Sequence, residues 1–169
     1  MVDPARHADD RNFLESILRY IPGFRGYLEE EYRRESDFLL RQWLADQLQH
    51  GKRGLDEYLQ SLVAAMKLDD LPAFERVRAK LDGVIGAIRS AERGYSPLFG
   101  FVRVRSEQLD QVYLADQGLI DLVHQLAGQL EKLGAADATP SKLAVQLIQS
   151  IEALGSQFRR RAEILKGVD

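Results

Sequence analysis

The chain predicts an all-α fold, an elongated helical bundle of four main antiparallel helices with a short N-terminal helix, and two patterns carry that expectation. The first is an apolar ladder, Leu109, Val112, Asp116, Leu119, Val123, Leu126, Leu130 and Leu133, stepping by threes and fours with one polar rung. Such a stripe winds along one side of an α-helix and is unstable until partner helices cover it, as in a coiled coil. The second is the recurrence of similar stripes before and after it, separated by proline and glycine. With 169 residues, one domain buries most of the apolar surface that its unfolded form exposes. Residues 1–9 are polar and read as a flexible tail, leaving residues 10–169 as a single helical-bundle domain.

The first helix runs from about Asp10 to Tyr20, with Phe13, Leu14, Ile17, Leu18 and Ile21 on its apolar side. Pro22 and Gly23 end it, because the ring disfavours helix at the preceding residue and glycine permits a turn that other residues resist. The next helix starts near Gly26 and continues to about Leu68, on the rungs Leu44, Leu48, Gly51, Leu55, Tyr58, Leu62 and Met66. It is a rod of up to about 60 Å at 1.5 Å per residue. Gly51 and Gly54 are its weak point, each costing about 1 kcal/mol against alanine. The stripe keeps its phase through them, which predicts a continuous helix.

Asp69-Asp70-Leu71-Pro72 then turns the chain into a helix that reaches about Arg93 and buries Phe74, Val77, Leu81, Val84, Ile85 and Ile88. Proline is harmless in a first turn, and acids favour the positive end of a helix. From Gly94 to Arg105 the helical period is lost, yet six large apolar side chains remain, so this segment is expected to pack across the end of the bundle. Ser106 caps the ladder helix, which ends at Gly134. Thr139-Pro140 opens the last helix, with Leu143, Leu147, Ile151, Leu154, Phe158 and Leu165 facing inward and an end near Lys166.

Composition narrows the functional classes. Cysteine is absent, which removes disulfides, thiolate metal sites and thiol catalysis and fits a cytoplasmic protein. The start carries no basic-then-apolar secretion signal, and nowhere do about 18 apolar residues run together to span a membrane. A net charge of -3 gives no long-range attraction to phosphates, so nucleic acid is not an expected partner. Catalytic, cofactor and metal sites are likewise not expected. Asp121-x-x-His124 is the nearest approach to a di-iron motif and occurs once, whereas such bundles use the pair on each of two helices. No serine has a histidine placed in sequence to activate it, and no glycine-rich phosphate loop follows a strand.

The densest polar stretch, Glu29 to Arg41, pairs acids with bases four residues on: Glu29 with Arg33, Glu30 with Arg34, Asp37 with Arg41. Extending the apolar stripe backwards from Leu44 and Leu40 turns part of this cluster inward. Arg33, Arg34, Asp37 and Arg41, with Asp116 from the later ladder, therefore form the candidate partner or anion site, and an Arg33–Asp37 ion pair is one expected element of it. A carboxylate on a core stripe needs a donor such as arginine, tyrosine or water, and Arg33, Arg41 and Tyr27 all stay open as the partner of Asp116. Two candidate interaction surfaces remain. The leading helix and turn, Phe13, Ile17, Ile21 and Phe24, either cover the bundle's own core or engage a protein or membrane. The basic run Arg159, Arg160 and Arg161 on the last helix is either a solvated helix end or a dock for an acidic partner.

Ile21-Pro22-Gly23-Phe24-Arg25-Gly26-Tyr27, followed by Glu31, Arg33, Arg34, Asp37, Leu39, Leu40 and Arg41, resembles a proline-glycine-aromatic-x-glycine-tyrosine turn and arginine-pair helix of a group of bacterial helical proteins. The resemblance extends through Arg93-Gly94-Tyr95 to Phe99, covering about residues 20–130. It implies a bacterial helical protein, and no activity is established for that group. The functional expectation is a non-enzymatic scaffold or adaptor for protein partners, with a homodimer among them. Two other readings stay open: a small-ligand or anion-binding bundle, or an enzyme, with a polar pocket near Arg33, Asp37 and Asp116; and a peripheral membrane protein attached through its first helix. A scaffold predicts paired charges and a continuous apolar patch outside, a pocket predicts convergent inward charges with water or a bound anion, and membrane attachment predicts an undocked first helix.

Overall fold

The computed structural model of the chain describes residues 4–91 and 106–167. Five α-helices make up the described fold: α1 (Pro4–Leu18), α2 (Glu30–Ala64), α3 (Leu71–Ser90), α4 (Ser106–Glu131) and α5 (Pro140–Lys166), with 3-10 turns at Leu68–Asp70 and Leu133–Ala135. No strand occurs among the described residues, and no helix among them is long and apolar enough to cross a membrane. The segment 94–105, expected across the bundle end, lies outside the described residues.

The helices meet along their predicted stripes. Every rung of the Leu109–Leu133 ladder is buried, Asp116 included, and Phe74, Val77, Leu81, Ile85 and Ile88 line the inner side of α3. α2 packs against α3 and α4, α5 packs against α3 and α4, and α1 packs against α4. Polar pairs fix the senses. α2 and α3 run oppositely, since Asp46, Lys52 and Asp56 pair with Arg89, Asp82 and Arg78. α4 and α5 are also opposed, with Gln108 donating to the Ile164 carbonyl and Ser150 to Gln129. Across the two pairs the senses match: Gly51 and Gly54 of α2 lie against Ala127 and Leu130 of α4, and Lys80 of α3 bonds Glu152 of α5. Periodicity reports which side of a helix is buried and not which neighbour covers it, so these parallel contacts were absent from the sequence expectation.

Helix boundaries depart from expectation at identifiable residues. α1 begins at Pro4 rather than near Asp10, a first-turn position that suits the ring. α2 begins at Glu30 rather than near Gly26 because Gly26 holds a positive φ of 76° and Glu29 is extended. Glu30 and Glu31 then occupy its positive end. Thr139 precedes α5 in extended form, and its side chain makes no capping hydrogen bond.

α2 passes unbroken through Gly51 and Gly54, and the contacts explain why glycine stands there. A Cβ on Gly51 would lie 3.0 Å from the Ala127 Cα, and one on Gly54 would run into the Leu130 carbonyl and lie 2.8 Å from the Glu131 Cα. The two glycines let the backbones of α2 and α4 approach more closely than any side chain would permit.

α2 ends at Ala64, so Met66 is no core rung: it is 77 % exposed. It occupies the left-handed position of a Schellman turn, with φ 56°, Lys67 N donating to the Leu62 carbonyl and Met66 N to the Val63 carbonyl. Glycine normally fills that position, and a side chain there costs on the order of 1 kcal/mol. Met66→Gly is accordingly expected to raise stability by about that amount, read as a melting temperature higher by about 2–4 °C for a chain of this size. A lower melting temperature would contradict the strain.

Candidate functional site

The sequence turns part of the α2 amino-terminal cluster inward, and a buried charged centre forms at this end of the fold. Arg33, Ser36, Asp37 and Arg41 of α2, Asp116 of α4 and Arg161 of α5 are all buried, with Asp116 fully so and Arg161 2 % exposed. Tyr27, fully buried, comes from the segment between α1 and α2. Arg161 is the hub. Its Nε donates to Asp116 Oδ1, its Nη1 to Asp37 Oδ1 at 2.7 Å and its Nη2 to the Tyr27 hydroxyl at 2.9 Å. One guanidinium thus ties α5 to α4, to α2 and to the α1–α2 segment, using the rigid donor fork that distinguishes arginine from lysine.

Each carboxylate has a second donor. The Tyr27 hydroxyl donates to Asp116 Oδ2 at 2.6 Å, and Arg41 Nε donates to Asp37 Oδ2 at 2.9 Å. Arg41 Nη1 also reaches the Ile88 carbonyl at 3.2 Å, placing positive charge at the carboxyl end of α3, where the helix dipole favours it. Arg41 and Arg161 pair with the two anions, Asp37 and Asp116, all four carboxylate oxygens accept a hydrogen bond, and the third buried cation, Arg33, is held on backbone carbonyls. This is the arrangement that makes buried charge tolerable.

The electrostatics follow from burial and these partners. Burial pushes the Asp116 carboxyl above the ordinary aspartate range, while Arg161 and the Tyr27 hydroxyl pull it down. Burial, reinforced by the Asp116 carboxylate, raises Tyr27 well above the usual tyrosine range. Burial alone would lower Arg161, but Asp116, Tyr27 and Asp37 outweigh it and raise its pKa. Tyr27 is thus held protonated and Arg161 charged at neutral pH.

Of the residues singled out in the sequence, Arg33, Asp37, Arg41 and Asp116 are brought to this end of the fold, and Arg34 is exposed outside the cluster. The expected Arg33–Asp37 ion pair is replaced. Asp37 pairs with Arg41 and Arg161, and Arg33 donates from Nε to the Tyr27 carbonyl at 2.7 Å and from Nη2 to the Leu28 carbonyl at 3.3 Å. Of the readings open for the leading helix, core covering holds, and its residues are corrected as an interaction surface. Ile17, Ile21 and Phe24 are buried at 0–2 % exposure and Phe13 is half-buried, because α1 and the segment after it dock on the core. Arg159 and Arg160 are exposed, but Arg161 is turned inward.

Tyr27 was one of three possible partners that the sequence left open for Asp116, and it is the one that bonds it; Arg161 was read as part of a basic surface run and its inward role was missed. A signal for Arg161 existed: the inner stripe of the last helix skips from Phe158 to Leu165, and position 161 is the empty rung between them. Its place in a run of three arginines made it read as surface.

Three surface grooves among the described residues lie away from this centre. One of about 650 Å³ runs between α3 and α5 along Lys80, Val84, Glu152 and Phe158; two more lie along α4 and α5, beside His124, Gln129 and Leu143 and beside Leu114, Arg160 and Glu163. None of these three is lined by the charged cluster. Among the described residues, no three His, Asp or Glu side chains gather as a metal site would require. No family model, no curated protein and no solved structure matches the chain.

Proposed function

We propose that this chain is a non-enzymatic helical platform for protein partners, a second copy of itself among them, working in the bacterial cytoplasm. Its four long helices would form one bundle made of two antiparallel hairpins, α2–α3 and α4–α5, laid side by side. The observation that carries this reading is the internal satisfaction of the charged centre. Every carboxylate oxygen of Asp37 and Asp116 is held by Arg41, Arg161 or Tyr27, so the cluster serves to fix the helices against one another. A ligand pocket near Arg33, Asp37 and Asp116 would need inward charges awaiting a partner. Membrane attachment through the first helix would need Ile17 outside the core, and Ile17 is buried.

Apolar surface is offered instead at the α2–α3 tip, where Val63 and Leu68 are each 51 % exposed beside Met66. Rigid, exposed apolar groups on a fixed turn are what a protein interface uses as anchors. The test is affinity capture with the full chain and with Met66→Asp/Leu68→Asp. Aspartate is tolerated in the left-handed position, so thermal unfolding should be unchanged while the captured proteins, or the chain's own dimer mass in light scattering, are lost. Capture and mass identical to the parent chain would contradict the proposal.

A further inference from the structure

We propose that α1 and the segment following it, to Glu29, form a strap that opens and closes on the rest of the fold as a separate unit, with the Tyr27 hydroxyl as its clasp. The backbone of Arg25 to Leu28 is held by side chains. Arg25 N donates to Ser36 Oγ at 3.2 Å, Tyr27 N donates to the Tyr113 hydroxyl at 2.8 Å, and the Tyr27 and Leu28 carbonyls accept from Arg33. Each of these groups is able to exchange its bond for one to water without unwinding α2 or α4.

The path of the strap is set by two turns that place Gly23 at φ 85° and Gly26 at φ 76°. These are conformations other residues resist, and they leave rotation available on either side of Phe24. Closure is equally defined: a Cβ on Gly26 would collide with the Tyr113 hydroxyl and crowd Leu14. Ile17, Ile21 and Phe24 then fill an apolar seat on the core, and Tyr27 reaches past them to Asp116 and Arg161. The hydroxyl of Tyr27 is the point at which a strap side chain engages the buried Asp116–Arg161 pair, whereas Arg33 reaches the strap at its backbone carbonyls, and bonds to charge are the strong ones. Opening would uncover the seat and return one hydrogen-bonding position on Asp116 and one on Arg161 to solvent, while Asp37 keeps Arg41 and Arg161 as partners. Segments that move are drawn from parts of a fold held by few regular backbone bonds, and residues 19–29 of the strap, which carry no regular helix, fit that description where α2 through α5 do not.

The test is amide hydrogen exchange followed by mass spectrometry on the full chain and on Tyr27→Phe. Losing the clasp should speed exchange across residues 17–28 by about 10- to 100-fold, with protection in α2 to α5 within about twofold of the parent. Unchanged exchange in 17–28, or acceleration spread evenly over α2 to α5, would overturn the strap. A second measurement needs no variant. In sub-denaturing urea the parent chain should release the amides of 17–28 at lower urea than those of α2 to α5, and a single common profile for both would overturn it equally.

Discussion

Replacing Arg161 with methionine is expected to lower the unfolding free energy by about 3–5 kcal/mol, because removing one partner of a buried charge pair leaves the other charge uncompensated. Here the loss falls on two carboxylates at once. Asp37 keeps Arg41, but Asp116, fully buried, keeps the Tyr27 hydroxyl as its remaining donor. The pH dependence has a definite sign. Asp116 is already raised by burial and is lowered by Arg161, so the variant's carboxyl titrates higher still. A carboxyl whose folded pKa exceeds its unfolded value takes up protons on folding; its penalty is absent below the unfolded value and grows as pH rises towards the folded value. The deficit of Arg161→Met against the parent should therefore shrink as pH falls from 7 towards 4. Urea unfolding at three pH values reads it, and a deficit that widens on acidification would contradict the assignment of Asp116 as the stranded charge.

Gly54→Ala is expected to cost about 2 kcal/mol, against the ordinary direction of the substitution. Alanine in a helix interior gains about 1 kcal/mol over glycine, but the new Cβ would enter the space of the Leu130 carbonyl and the Glu131 Cα, which are backbone and cannot rotate away. Separating α2 from α4 to make room disturbs the buried stripe along both helices, at the usual cost of overpacking. Gly83→Ala supplies the control. Gly83 lies on the exposed side of α3 with nothing within 4 Å of a Cβ, so the same change there should stabilise by about 1 kcal/mol. Melting curves of the two variants should move in opposite directions, and parallel shifts would mean that the α2–α4 contact is looser than described.

The helices were legible in the sequence because their information is local. The Leu109–Leu133 ladder is buried rung for rung, α2 passes through its glycines, and α5 ends at Lys166. The inward turn of Asp37 and Asp116 was legible too, since the phase of a stripe continues through a polar residue. What the stripe could not convey was the identity of partners. Asp116 and Arg161 are 45 residues apart, Asp37 and Arg161 124, and Tyr27 and Arg161 134, and no period links positions across separate helices. The same limit explains Gly54, which reads as a liability in one helix and becomes a contact surface when a second backbone lies against it. Ile17, Ile21 and Phe24 were apolar enough for a partner surface, and their burial depends on a chain path set by the φ angles of Gly23 and Gly26.

If the charged centre exists to hold helices together, apolar groups of similar size should replace it with little loss, as buried ion pairs often permit. The direct test is urea unfolding of Arg161→Met/Asp116→Leu/Tyr27→Phe, which removes the hub, its α4 carboxylate and the clasp hydroxyl together and leaves Asp37 with Arg41. The expected result is an unfolding free energy within about 1 kcal/mol of the parent chain, well above that of Arg161→Met alone. A triple variant as unstable as the single one would contradict a structural role for the cluster.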